Sequence, residues 1–132
     1  QELGRSVSFT AHAVDMTRGA SATCHAFPSE PVSTGDLWSA YRAAYEDEPF
    51  VRLVAGGGGV YRYPEPKSVA GSNYAEVGFA VDPGDERIVA CGALDNMMKG
   101  SAGQAVHAAN LACGVAETAG LDATGFHPVG AP

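Results

Sequence analysis

From Ser101 to Ala116, "SAGQAVHAANLACGVA", the chain carries no Asp, Glu, Lys or Arg. A helix with one solvated side needs a charged or strongly polar face. This stretch offers only a stripe of Gln104, His107 and Asn110, set among Ala102, Ala105, Ala108, Ala109 and Ala112. Small side chains shorten the distance at which a neighbouring layer can pack. The pattern predicts a helix beginning at Gly100 or Ser101, ending at Ala116 or Ala119 and stopped by Gly120. Such a helix belongs between two layers, the sheet of this chain and a second body outside these 132 residues. A homodimer face or a loosely packed helix is the other reading.

The residues leading into this run are "DNMMKGSAG". Free N–H groups and the positive dipole end of a helix start accommodate phosphate, carboxylate or a polar ring edge. Asn96 supplies an amide that is both donor and acceptor, suited to a nucleotide or a carboxamide. Its other reading is a loop residue satisfying nearby backbone.

Hydrophobic residues make up 45% of the chain and charged residues 17%, which implies a globular domain rather than a disordered one. A net charge of −7 excludes the basic face that a nucleic-acid partner needs. No apolar run approaches the ~20 residues that span a bilayer, and no signal peptide is visible, so a cytoplasmic protein is expected. Cys24, Cys91 and Cys113 are far apart and none sits in a CxxC, which argues against a disulfide framework or a metal site. Each lies in an apolar run and reads as a small buried hydrophobe.

Strict alternation over Ser6–Asp15, "SVSFTAHAVD", predicts a half-buried strand with Val7, Phe9, Ala11 and Ala13 on one face. "ASATCHAF", Ala20 to Phe27, alternates again, and the short turn between suggests that the two runs pair or neighbour each other. Ser33 or Thr34 then caps a helix over about Asp36–Glu46, with a stripe of Leu37, Tyr41, Ala44 and Tyr45. "FVRLVA" reads as a short strand. The run Gly56–Gly59 lacks a following Lys-Ser/Thr or helix start, so it is a surface loop rather than a phosphate loop. "YRYPEPKSVAGSN" reads as extended and Pro-punctuated, and "YAEVGFAVDPGDERIVACGALDN" as a hairpin about "DPGD". The tail from Leu121 should lie irregularly on the surface. This order gives an α+β domain, an antiparallel or mixed sheet with helices on one face.

Four stretches in sequence order carry a resemblance: "VSFTAHAVDMTRGASATCHA", "AYEDEPFVRL", "KSVAGSNYAEVGFAVD" and "ALDNMMKGSAGQAVHAANLACGVAETAGL". Together they resemble the C-terminal half of the N-acetyl-γ-glutamyl-phosphate reductase family. That family includes the reductases acting on aminoadipyl or glutamyl phosphate attached to the amino-group carrier protein LysW. The likeness runs from about Ser6 to Leu121 and is most specific at "DN-x-x-KG-x-AGQA". It implies that residues 1–132 form the C-terminal substrate-binding and oligomerisation domain of a two-domain semialdehyde-dehydrogenase-like reductase. The NADP-binding domain and its nucleophilic cysteine would precede this segment, and the helix bearing the family's histidine would end near Gln1–Leu3.

The implied chemistry is reductive dephosphorylation of an acyl phosphate in lysine or arginine biosynthesis. A cysteine thiolate displaces phosphate to leave a thioester, and hydride from NADPH then gives the aldehyde. By the resemblance, Asn96 lies beside the nicotinamide of NADP, with Gly100, Gly103 and Gln104 as its neighbours. Arg18, in "TRG", would meet the substrate's phosphate or carboxylate, since a guanidinium fork suits either anion; a surface or interface ion pair is its other reading. No catalytic residue and no metal ligand is carried onto this chain. His12, His25, His107 and His127 are strand, helix and tail residues, so the segment alone should be inactive.

The texture of "SFTAHAVDMTRGASATCH" and the acidic composition are more similar to the archaeal, carrier-linked branch than to the acetylated one. The acidic carrier LysW would call for basic residues near the site, from among Arg18, Arg52, Arg62, Lys67 and Lys99. A homo-oligomer is implied, with no membrane partner. Two competing readings are an inactive binding or oligomerisation module lacking the nucleotide domain, and the oligomerisation domain of some other oxidoreductase.

Overall fold

A computed structural model describes residue 4 and residues 6–55, 63–82 and 87–126. The Gly56–Gly59 loop, the centre of the "DPGD" turn, Arg62 and His127 lie outside the described residues. The order of elements is β1 (Ala20–Ala26), α1 (Thr34–Tyr45), β2 (Val51–Leu53), α2 (Pro66–Val69), β3 (Ala75–Val81), β4 (Ile88–Leu94), a π turn (Met98–Ala102) and α3 (Gly103–Ala112).

The strands form one sheet in the order β1-β4-β3-β2. β3 and β4 are the expected hairpin, paired antiparallel from Ala75↔Leu94 to Val81↔Ile88. β2 joins β3 in parallel, which makes the sheet mixed. β1 pairs antiparallel with β4, from Ala20↔Leu94 to Ala26↔Ile88. The expected pairing of β1 with the Ser6–Asp15 run does not occur. Those residues form no strand, and Val7, Phe9 and Val14 are exposed. Alternation shows which side chains could share a face, but a half-buried strand also needs a layer to cover it. Here β1 itself is solvent-exposed along its whole length and offers none.

The start of α1 follows from its sequence. The Ser33 hydroxyl accepts from the Asp36 N–H at 3.2 Å, and the Asp36 carboxylate accepts from the Ser33 N–H at 3.0 Å and its hydroxyl at 2.7 Å. This reciprocal box satisfies helix-start donors, and the Ser33 bonds hold the Asp36 carboxyl below its ordinary range. The buried stripe differs from expectation in one place. Leu37 is buried and Tyr41 half-buried, but Ala44 is exposed, and Trp38 packs edge-on against Phe79 at 5.2 Å instead. α1 therefore covers the sheet face carrying Phe79.

The segment expected to be extended contains α2. Pro66 occupies its first turn, where a missing N–H costs nothing. Beside it the Glu76 carboxylate, on the opposite sheet face from Phe79, accepts from the Glu65 N–H at 3.2 Å and the Ser68 hydroxyl at 2.7 Å.

α3 stops at Ala112, earlier than the uncharged run suggests. Gly114 adopts a φ of 66°, and its N–H bonds the Leu111 carbonyl at 3.2 Å while the Val115 N–H bonds that of Asn110 at 2.9 Å. This is a Schellman stop. The chain then folds back onto the polar stripe. The Asn110 amide donates to the Glu117 and Ala119 carbonyls, and His107 Nε2 lies 2.6 Å from Glu117 Oε1. His107 and Asn110 are thus internal anchors, while Gln104 is exposed. Val106, Leu111 and Val115 are exposed, so the apolar side of α3 has no layer over it within the described residues.

Candidate functional site

β4 delivers Asp95 to the junction of three loops, fully buried. Its Oδ1 accepts from the Met97 N–H at 2.7 Å and the Met98 N–H at 2.9 Å, which orders the chain entering the π turn. The turn is closed by the Gly100 N–H on the Asp95 carbonyl and the Ala102 N–H on that of Met97, both at 2.9 Å. Oδ2 accepts from the Gly71 N–H at 2.6 Å and from Arg18 Nη1 at 3.1 Å. Burying a carboxylate is costly unless its lone pairs are satisfied; here four donors do so. Burial alone would raise the Asp95 pKa, but the Gly71, Met98 and Met97 N–H groups and Arg18 outweigh it and hold it below the usual carboxylate value.

Arg18 reaches this carboxylate from the loop before β1, with its side chain about a third exposed. Its guanidinium also stands over the Phe126 ring, 5.2 Å from the centroid. One residue further on, the Gly19 N–H donates to Asn96 Oδ1 at 2.8 Å. Gly19 has a φ of 115°, a conformation that side-chain-bearing residues rarely adopt. Arg18 and Asn96, singled out from the sequence, therefore meet at one place: residues 18–19 bond residues 95–96. Both are engaged in bonds, Arg18 as an ion pair and Asn96 through a backbone contact distant in sequence. The Asn96 amide NH₂ makes no bond among the described residues, and the side chain is exposed. That free, fixed donor fits a carboxamide such as the one on a nicotinamide ring.

The neighbours divide. Gly100 is exposed, while Gly103 is buried against Asn73, so its role is close packing. Gln104 is exposed on α3.

Beside Arg18 opens a wide, mostly apolar surface groove of about 560 Å³, bordered by Met16, Thr17, Arg18, Lys67, Ala70 and Phe126. Its far wall is the tail. The Phe126 N–H donates to the Ala70 carbonyl at 2.8 Å, and its ring packs against Gly71, where a Cβ would meet ring carbon Cδ2 at 2.5 Å. Sequence reasoning named Lys67 among the basic candidates near the site but missed Asp95 and Phe126. Only the Asp-Asn adjacency hinted at the first.

A second polar cluster lies behind the π turn. Lys99 Nζ is 3.4 Å from His107 Nδ1 and 5.2 Å from the Phe50 ring centroid. Burial lowers the Lys99 pKa, opposed by the attraction of Glu117 and Glu48. Of the cysteines, Cys91 is half-buried, but Cys24 and Cys113 are exposed, against the expectation of burial. Both sit where α3 and β1 lack a covering layer.

The fold agrees with the sequence comparisons. Residues 1–96 match the semialdehyde dehydrogenase dimerisation domain, and the chain belongs to that family. It is 77% identical, over its whole length, to a Natronomonas pharaonis protein named as a LysW-L-2-aminoadipate/LysW-L-glutamate phosphate reductase, of which it covers 38%. A Haloquadratum walsbyi protein of the same name is 76% identical with the same coverage. A Thermomicrobium roseum protein named as a LysW-L-2-aminoadipate 6-phosphate reductase is 50% identical, over 96% of this chain and 36% of its own length. The chain thus spans well under half the length of these relatives. No helix among the described residues is long and apolar enough to cross a membrane.

Proposed function

We propose that this chain is the substrate-binding and oligomerisation domain of an NADPH-dependent reductase. The enzyme would convert a LysW-linked aminoadipyl or glutamyl phosphate to its semialdehyde, in lysine or arginine biosynthesis in the cytoplasm. The observation that carries this reading is the paired junction at the end of β4, where Arg18 bonds Asp95 and Gly19 bonds Asn96. It holds an anion-binding guanidinium and an amide donor in fixed relation. The relatives' names support the substrate class.

NADPH, when bound, supplies the hydride. The chain's own part is positioning. Asn96, with its oxygen tied to Gly19, would offer its NH₂ to the carboxamide of a nicotinamide ring. Arg18, with one nitrogen on Asp95, keeps its remaining N–H groups for the oxyanion of the acyl phosphate. Phosphate leaves as charge builds on that oxyanion, so a pre-oriented cation favours the step. The thiolate that attacks would come from the nucleotide domain. Arg18 and Lys67 border one groove in an otherwise acidic chain, which favours the carrier-linked substrate over the acetylated one.

The test is to express the longest open reading frame that contains this chain. Phosphate-dependent NADP⁺ reduction is then assayed with LysW-linked and N-acetylated semialdehydes. Turnover of the LysW-linked form alone is the expected result. Turnover of the acetylated form alone would move the enzyme to the other branch. No turnover of either would leave an inactive binding or oligomerisation module.

A further inference from the structure

We infer that Lys99 is a nucleophilic amine, served by His107 as its base, that takes an acyl group from a small acyl phosphate. No nucleotide domain, cofactor or hydride takes part, so this reaction is separate from the proposed reduction.

Three side chains stand in line. Glu117 Oε1 is 2.6 Å from His107 Nε2, and His107 Nδ1 is 3.4 Å from Lys99 Nζ. An ionised carboxylate only accepts, so Nε2 carries the ring proton and the neutral ring keeps its Nδ1 lone pair toward the amine. A nucleophile, a base and a group that orients the base are thus in sequence, at the looser spacing such triads show before a substrate arrives. Lys99 comes from the π turn, His107 from α3 and Glu117 from the segment that folds back after it. A lysine serving only as a countercharge would sit on a carboxylate. Among the described residues Lys99 forms no ion pair, and its polar contact is the imidazole.

The surroundings favour the free amine. Lys99 Nζ stands 5.2 Å from the centroid of the Phe50 ring, which packs edge-on against His107 at 5.1 Å. Phe50 and His107 are buried, and Lys99 is half-buried. Burial holds the Lys99 pKa below its ordinary value against the pull of Glu117 and Glu48, the two carboxylates that act on it. A desolvated ammonium gives up its proton more readily, and the neutral amine is the nucleophile. The exposed part of the side chain leaves an approach for a small electrophile.

In the reaction the free amine attacks the acyl carbon. The Nζ–C bond forms, the C–O bond to phosphate breaks, and phosphate leaves with that electron pair. The surplus proton on nitrogen passes to His107 Nδ1, and Glu117 stabilises the imidazolium. Nothing is oxidised or reduced. The product is a neutral amide, which costs less to keep half-buried than the ammonium it replaces. An aldehyde would leave a protonated imine and keep that cost, which selects the acyl donor.

The test uses the full-length polypeptide and acetyl phosphate, with acetylation followed at each lysine by peptide mass spectrometry. Lys67, the other lysine of this chain, is exposed and outside the triad, so it is the internal reference. Lys99 is expected to react about tenfold faster than Lys67, below the usual contribution of a positioned base because Nδ1 lies at 3.4 Å. His107→Gln should remove that advantage and leave Lys67 unchanged. The rate at Lys99 should level off at a pH below 10.5. Glu117→Gln keeps an acceptor for the Nε2–H but loses the carboxylate, and should slow Lys99 several-fold; it carries the test if His107→Gln does not fold. A merely structural cluster would lower the melting temperature of both variants and leave the ratio of the two rates unchanged. That result, or equal rates at Lys99 and Lys67 in the parent protein, overturns the proposal.

Discussion

Arg18 and Asp95 stand 77 residues apart in sequence and 3.1 Å apart in space, and their next neighbours, Gly19 and Asn96, bond at 2.8 Å. Two consecutive contacts lock the loop before the edge strand to the end of β4. The carboxylate is the centre of the lock, because it also takes the N–H groups of Gly71, Met97 and Met98. Asp95→Asn would turn one acceptor into a donor facing the Gly71 N–H and Arg18. The expected cost is about 2–3 kcal/mol, reduced from that of a fully buried pair because Arg18 is partly solvated. Arg18→Met should cost less, since the carboxylate keeps three N–H donors. Urea unfolding followed by the emission of Trp38 ranks the two, and a larger loss for Arg18→Met would contradict this account.

The same carboxylate sets the acid response. Asp95 has its folded pKa held below 3.8. Its contribution is therefore complete above pH 3.8 and lost as pH falls through the folded value, where the unfolded chain binds more protons. Lys99 has the opposite sign. Its folded pKa lies below 10.5, so its charge costs stability at neutral pH, and that cost is relieved as pH rises toward 10.5. Asp95→Asn should flatten the acid limb of a stability-versus-pH curve and Lys99→Met the alkaline rise. Each leaves the other limb unchanged.

Gly103 and Gly92 separate local propensity from packing. Ala is favoured over Gly inside a helix by about 1 kcal/mol, so propensity alone makes Gly103→Ala stabilising. A Cβ there would run into Asn73 Oδ1 and come within 2.9 Å of the Met98 carbonyl. The expected outcome is a net loss of about 1–3 kcal/mol through overpacking. Gly92→Ala would meet only the Glu76 carbonyl, at an ordinary 3.8 Å, and should be neutral or slightly stabilising. Paired thermal melts decide between the two accounts.

What the sequence made legible was local. The Ser33-or-Thr34 cap and the Ala20–Phe27 alternation both gave elements close to those observed. The same alternation over Ser6–Asp15 misled, because exposure depends on which layer is present, and no residue there encodes that. Pro66 reads as punctuation until its place in the first turn of α2 is seen. Gly114 ends α3 by adopting a left-handed conformation, a choice that an Ala-rich run on both sides conceals. The Asp95–Arg18 pair has no local signature, since it is made by the topology that sets β4 between β1 and β3. Asn96 stood out only through the motif around it, and its contact with Gly19 came from the same topology.

Asn96 also gives the sharpest test of the proposed cofactor role. Its oxygen is engaged by Gly19 and its NH₂ is free. Asn96→Asp keeps the acceptor for the Gly19 N–H and replaces the donor with a second oxygen. In the full-length enzyme this should raise the KM for NADPH about tenfold, on the scale of one lost hydrogen bond facing a polar group. The KM for the acyl phosphate and the melting temperature should change little, since Arg18 and the Gly19 contact survive. Asn96→Ala, which loses both, should show the same NADPH effect with a lower melting temperature. An Asn96→Asp enzyme with unchanged NADPH affinity would reduce Asn96 to a loop clasp, and the split between the two variants would then be one of stability alone.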